Sequence, residues 1–446
     1  MNYKEAAGLR GGQRGSLRDG LRDHKVALWN AFVDSELSDI TDDDCAIFPR
    51  LLPRAYMPVI ERTAREITEF VLRLVSLPER EVRAIIPRGP IRDFLIDELR
   101  VLKHRPDRLT GSFRFDMAIV GEPHRLNPPK LLEINEIGFD GLARSSFFRE
   151  TMFKLLPELK VRAFSPDAAK AEIRNMRRLG PSLARFQADC YNWDEEFLVR
   201  RAREEEFDLR LVSPEPFRSR VTSDYPLMKK ESVVFSKGQM RIGRDFYPSS
   251  SQMSYALTLK DYQKHEKFFA SIVRNKTPHY GPFVMGLIAS KMVLVLLSDV
   301  ELRRRLLGTA SSLNEAILDA FILEGRRDEL AADPAKFVLK HTDGFGGQMV
   351  FFDDEIKSRL KKITPRAEHE WIVQERTRLN LIEIEGLLSR RRKLITDLGV
   401  FVQYDWSRNR MRHFEVGGYM ARATNRSWRV NVSGGGIQVP VMFMKR

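Results

Sequence analysis

The chain has 446 residues, 43% hydrophobic and 30% charged, which is the composition of a folded globular protein of about three domain-sized units and excludes a disordered or fibrous one. Its most apolar stretch, Met292 to Leu297, is far shorter than the roughly 20 residues a membrane-spanning helix needs, so no membrane span is expected. Lysine and arginine number 75 against 61 aspartates and glutamates, a formal charge of +14 that suits an anionic partner such as nucleic acid, a membrane surface or nucleotide phosphates.

Residues 1–16 are rich in glycine and arginine and read as a disordered tail; they lack the apolar core of a secretion signal, so the chain is expected to be cytoplasmic. Residues 17–110 read as a helical amino-terminal region. Over Tyr56 to Leu77, Val59, Ile60, Ala64, Ile67, Val71, Leu74 and Val75 recur at mostly three- and four-residue steps, which predicts an amphipathic helix on a core.

At residue 111 the period changes to two. FRFDMAIV and KLLEINEI are expected strands, joined through the turn-forming GEPHRLNPP into a hairpin within a unit spanning 111–165. Residues 166–285 read as an inserted α/β domain: helical Ala168 to Leu179, the strand SLARFQADC, the helix WDEEFLVRRAREEE and the strand FDLRLVSP follow the order of a small parallel sheet. Short strands are expected over Pro214 to Ser254 and a helix over Lys260 to Val273. The last unit, 286–446, begins within a helical run from Met285 to Leu307, breaks at Asp333–Pro334, and continues strand-rich with glycine turns. The expected class is α+β with α/β elements.

Four segments carry chemistry-bearing residues. Phe337 to Gln348 is an apolar strand ending in Lys340 and opening into a loop with Gly344, Gly346 and Gly347. Glycines let backbone N–H groups close on phosphate oxygens, and the lysine brings charge to the same place. Neither the Walker sequence nor the GxGxxG fingerprint is present. Trp371 to Glu375 is a short strand whose edge suits an adenine, with Gln374 and Glu375 at its end and the carboxylate in reach of ribose hydroxyls.

Arg114 and Asp116 share one face of their strand, and Glu133 and Asn135 one face of theirs. Magnesium prefers hard oxygen ligands and shares them with nucleotide phosphates, so Asp116, Glu133 and Asn135 form a candidate cradle. Finally, Gly417, Gly418 and Arg422, with Asn431 and the run Gly434 to Gly436, place an arginine between glycine turns, where its planar fork suits a phosphoryl group in transit. Taken singly, these segments read equally as a glycine-rich hairpin, a strand end, an exposed polar strand face and a sheet with glycine bends.

Together, and in this order, they resemble the circularly permuted ATP-grasp family, in the manner of glutathionylspermidine synthetase. In the usual ATP-grasp order the lysine and glycine-loop motifs come first and the Glu-x-Asn metal motif last; here RFD and EIN precede VLKHTDGFGGQ, WIVQE and GGYMAR. The resemblance implies an ATP-grasp fold in permuted order, with ATP and Mg2+ as cofactors. It implies Asp116, Glu133 and Asn135 as magnesium ligands and Arg114 as the residue orienting an acyl phosphate. Lys291 and Lys340 are implied as the nucleotide-phosphate lysines, Gly344, Gly346 and Gly347 as a mobile phosphate loop, Gln374 and Glu375 as the adenine and ribose edge, and Arg422 as the arginine at the transferred phosphate. The metal motif continues EINEIGFDG, unlike that of the named synthetase, and no amidase domain precedes the ligase part, so its substrates are not inherited.

The activity so implied is an ATP-dependent ligase joining a small-molecule or peptide carboxylate to an amine through an acyl phosphate. Two other readings remain at this point: a nucleic-acid-binding protein with a degenerate ATP-grasp fold, and a small-molecule kinase. Twelve basic against three acidic residues lie between Arg390 and Arg446, beside the glycine run, which favours a local phosphate site over a diffuse basic coat. The eight histidines never take an HExxH spacing, and Cys45 and Cys190 offer neither a disulfide framework nor a metal knuckle, so zinc chemistry is not expected.

Overall fold

The computed structural model describes residues 23–31, 45–136, 141–187, 193–212, 233–236, 239–253, 259–288, 290–308, 312–343, 349–387, 392–424 and 436–445. The Met57–Ser76 helix forms as its spacing predicts, burying Ile60, Ala64, Ile67, Phe70, Val71, Leu74 and Val75 along one face. It stops where Leu77 turns extended (ψ 157°), because the ring of Pro78 crowds a helical conformation in the residue before it. No helix among the described residues is long and apolar enough to cross a membrane.

That apolar stripe packs on one face of a large mixed sheet, thirteen strands among the described residues. At its centre the strands Ile437–Met444, Arg410–Thr424, Leu398–Ser407 and Arg108–Ala118 lie side by side, each antiparallel to the next. The edge strand Arg50–Pro53 runs parallel to Ile437–Met444. Beyond Arg108–Ala118 come four parallel strands, His279–Tyr280, Ser250–Met253, Ser182–Gln187 and Asp208–Val212. The parallel unit read from residues 182–212 is thus present, and its strands extend the same sheet that carries Arg114 and Asp116.

Alternation along Arg108–Ala118 assigns the two faces. Phe113, Phe115 and Met117 join Val400, Val402, Tyr404 and Tyr419 in the core under the Met57–Ser76 helix. Arg114 and Asp116 point to the other face, part of which is covered by the helices Leu142–Leu155 and Ala168–Met176. The strand Lys130–Asn135 pairs antiparallel with Arg108–Ala118, the expected hairpin.

A second sheet orders Ala320–Ile322, Trp371–Glu375, Phe337–His341 and Val350–Phe351, all antiparallel. One face packs Leu339, Trp371 and Val373 against Ile356 and Leu360 of the Asp354–Leu360 helix. The opposite face carries Val338, Lys340, Ile372 and Gln374, register partners that share a side.

Two expectations are corrected. The helical run from Met285 to Leu307 is divided into a 3-10 segment Phe283–Ile288 and helices Met292–Ser298 and Val300–Leu307. Asp299 makes the second break, since its carboxylate accepts from the Leu302 N–H at 3.0 Å and caps the next helix. Gly417 and Gly418 lie inside the Arg410–Thr424 strand rather than in a turn. Register slips there, Phe401 opposing Gly418 and Val402 opposing Val416, so Gly417 is the extra residue of a β-bulge. A Cβ on Gly418 would meet the Ala168 Cβ at 2.4 Å, which is why the covering helix can sit so close.

Candidate functional site

The site begins on the hairpin. Arg114 opposes Asn135 and Asp116 opposes Glu133, so all four side chains rise from one face. Register then slips, Met117 opposing Leu131, and Leu132 is left as the extra residue of a bulge. Asp116 is buried. Its Oδ1 accepts from Arg114 Nε at 2.8 Å, and its Oδ2 accepts from Arg114 Nη2 at 3.1 Å, Asn135 Nδ2 at 3.2 Å and Arg422 Nη2 at 2.8 Å. Gly399 lies opposite Asp116 on the neighbouring strand, where a Cβ would come within 2.9 Å of the Met420 carbonyl.

Arg422 comes from the Arg410–Thr424 strand and is shared between two carboxylates. Besides Asp116 it holds Asp397, which accepts from the Arg422 backbone N–H at 2.9 Å, from Nε at 3.0 Å and closely from Nη2. Asp397 was not among the residues read from the sequence. It sits between two strands with no motif around it, and no local signal marks it.

The second sheet supplies the lysines' half of the site. Lys340 Nζ donates to the Leu132 carbonyl at 2.9 Å and to Gln374 Oε1 at 2.7 Å, while Gln374 Nε2 donates to the Leu131 carbonyl at 3.3 Å. Lys291 Nζ lies 2.9 Å from Glu133 Oε1, and its backbone N–H donates to the Thr342 carbonyl at 2.9 Å, which ties the start of the Met292–Ser298 helix to the strand of Lys340. Eight of the residues singled out in the sequence, Arg114, Asp116, Glu133, Asn135, Lys291, Lys340, Gln374 and Arg422, therefore lie in one connected cluster. Glu375 is exposed and, by strand alternation, faces away from Lys340. Gly344, Gly346 and Gly347, with Asn431, Gly434 and Gly435, lie outside the described residues.

Electrostatics follow from this crowding. Burial alone would raise the Asp116 carboxyl, but Arg114 and Arg422 outweigh it and hold the group below its ordinary range. Burial is likewise outweighed at Glu133 by Lys291 and Lys340. Burial lowers Lys340 to about 8, against the opposing pull of Glu133. Asp397 goes the other way: burial raises it more than Arg422 lowers it. Four cations, Arg114, Arg422, Lys291 and Lys340, face three carboxylates, Asp116, Glu133 and Asp397. The cluster is thus left with a spare positive charge and favours an anionic ligand.

Asp116, Glu133 and Asn135 present two carboxylates and an amide from one strand face, a hard-oxygen set that fits magnesium shared with phosphates rather than a closed protein cage. No group of three or more His, Cys, Asp or Glu converges as a metal site among the described residues. Of the basic residues between 390 and 446, Arg390, Arg391, Arg426, Arg429 and Arg446 lie outside the described residues. Arg408, Arg410 and Arg412 are exposed at the tip of the hairpin joining residues 398–407 and 410–424, roughly 25 Å from Asp116 at about 3.3 Å per strand residue.

No known family description matches the sequence, nor does any curated protein. Among solved structures, a glutathione synthetase-like effector from Globodera pallida, in its apo form, superposes with a TM-score of 0.71. The alignment covers 96% of this chain and 98% of that one, at 11% identity. A RimK domain ATP-grasp protein from Sphaerobacter thermophilus aligns over 58% of this chain and 90% of that one, at 13% identity and a TM-score of 0.28, too low to bear on the fold. At such identity the likeness to the effector shows the fold alone: the chain shares that protein's α+β architecture.

Proposed function

We propose that this chain, ATP-grasp-like in fold and circularly permuted in its motif order, is an ATP-dependent ligase that joins a carboxylate to an amine. The observation that carries the reading is the meeting of Lys340 with Leu132 and of Lys291 with Glu133, which brings phosphate-type lysines to the oxygen-rich hairpin.

In this reading Lys340 and Lys291 hold the nucleotide phosphates, and Gln374 fixes the Lys340 ammonium. Asp116, Glu133 and Asn135 would hold a magnesium ion, which would offset charge on the phosphate oxygens. The substrate carboxylate oxygen attacks the γ-phosphorus, the bond to the β-phosphate oxygen breaks, and ADP leaves. Arg422 reaches the transferring phosphoryl oxygens with a fork already pre-oriented by Asp397, and Arg114 orients the acyl phosphate. The amine nitrogen then attacks the acyl carbon and phosphate departs, leaving an amide; no protein nucleophile is required.

Phosphoryl transfer to a hydroxyl, as in a kinase, uses the same cluster. A panel of amino acids, peptides and polyamines, assayed for ADP release with Glu133→Gln as control, separates the two. The ligase reading expects ADP release that requires both a carboxylate and an amine and is abolished in Glu133→Gln. Release that ignores the amine supports the kinase, and an unimpaired Glu133→Gln variant rules out the metal assignment. A nucleic-acid complex that forms without ATP and weakens with salt would instead point to the exposed arginines at the hairpin tip.

A further inference from the structure

We infer that Asp397 is a positioning residue that draws the Arg422 guanidinium away from Asp116 and so frees that carboxylate to take a divalent cation. This rests on the reading of Asp116 as a metal ligand, and it deepens that reading.

A carboxylate offers about four lone-pair positions, and Asp116 accepts four N–H donors: two from Arg114, one from Asn135 and one from Arg422. With all four in place no lone pair remains for a cation, so donors must leave before one binds. Asn135 can turn its amide and present oxygen instead. Arg422 has a second anionic partner already engaged, because its Nη2 reaches Asp116 and Asp397 together, and its Nε and backbone N–H are on Asp397 alone. A small rotation of the guanidinium transfers it wholly to Asp397 with no charge left unpaired.

Asp397 is built to stay where it is. It is 1% exposed, and its own N–H donates to the Arg422 carbonyl at 3.2 Å. The preceding Thr396 is held through its hydroxyl, which accepts from Arg50 Nη1 at 2.9 Å. Arg50 lies on the Arg50–Pro53 edge strand, so the amino-terminal region buttresses the site through Thr396.

The competition has a sign. Asp397→Asn leaves Arg422 with one anionic partner, Asp116, and must weaken the metal; residues behind metal ligands typically change metal affinity by about 10–100-fold. Arg422→Met removes the competitor and must tighten it. A merely structural Asp397 would lower the melting temperature in the first variant and predict no tightening in the second.

Mn2+ binding to the full-length chain, read by water-proton relaxation with and without a β,γ-imido ATP analogue, tests this without relying on turnover. The expected result is Mn2+ affinity weaker by about tenfold or more in Asp397→Asn, near parental in Asp397→Glu, and several-fold tighter in Arg422→Met. Should Asp397→Asn fail to fold, Arg422→Met alone decides. Unchanged or weaker Mn2+ binding in Arg422→Met, with the parent binding normally, overturns the competition while leaving the ligase reading intact. A parent that binds no Mn2+ under either condition overturns both.

Discussion

Lys340 and Leu132 stand 208 positions apart in the chain, yet the Lys340 ammonium donates to the Leu132 carbonyl at 2.9 Å. Leu132 is the bulge residue of the hairpin, and Lys340 rises from the face of the small sheet that also carries Gln374. One contact thus joins a buried lysine of the small sheet to the strand that carries Glu133 and Asn135.

The Lys340 environment sets a pH dependence. Burial lowers its pKa to about 8, with Glu133 opposing and Lys291 reinforcing the shift. Protonated Lys340 attracts phosphate and neutral Lys340 does not, so nucleotide affinity should be level below about pH 7 and fall as pH rises through about 8. Lys340→Arg stays charged across this range and should abolish the fall. Titration with a fluorescent nucleotide from pH 6 to 9.5 checks this; a parallel decline in parent and variant would assign the titration elsewhere. The same shift affects folding in a definite sense. Between about pH 8 and the ordinary lysine range the unfolded chain keeps a proton the folded one has lost, so this group's contribution to stability grows as pH rises through that window.

Close approach of the Ala168–Met176 helix to the sheet should be sensitive to one methyl group. In Gly418→Ala the new Cβ would lie 2.4 Å from the Ala168 Cβ, 3.3 Å from the Ala168 Cα and 3.3 Å from the Ser145 Oγ, so the helix must move. Overpacking of this kind costs about 1–3 kcal/mol, which thermal unfolding would register as a lowered midpoint. Gly89→Ala is the matched control: its backbone is extended, nothing lies within 4 Å of a Cβ, and a change within about 0.5 kcal/mol is expected. Equal midpoints for the two variants would mean that the helix does not press on Gly418.

How far the sequence could be read depended on the range of the interactions. Local periodicity marked the Met57–Ser76 helix, the Arg108–Ala118 and Lys130–Asn135 hairpin and the Phe337–His341 and Trp371–Glu375 strands, because a buried stripe imposes its period on consecutive residues. Alternation also placed Arg114 with Asp116 and Glu133 with Asn135. Features made by distant chain were not legible. Gly417 and Gly418 looked like a turn because the Ala168 and Ala171 side chains that need the space are about 250 residues away. Asp397 had no neighbouring motif, since its partner Arg422 lies 25 positions on, in a neighbouring strand. The Leu132 bulge depends on a one-residue slip that side-chain patterning does not encode. The charge count put the exposed hairpin arginines together with Arg422, although only burial and geometry distinguish them.

We propose that the Asp116–Asn135 hairpin and the Lys340 sheet form one pocket for a magnesium nucleotide. A double-substitution cycle with Glu133→Gln and Lys340→Met, measured as calorimetric affinity for the β,γ-imido ATP analogue in excess magnesium, tests it most directly. A shared pocket predicts that each substitution weakens binding and that the two are non-additive, with a coupling of about 0.5–3 kcal/mol. Affinity unchanged in either single variant, or losses that simply add, would contradict it.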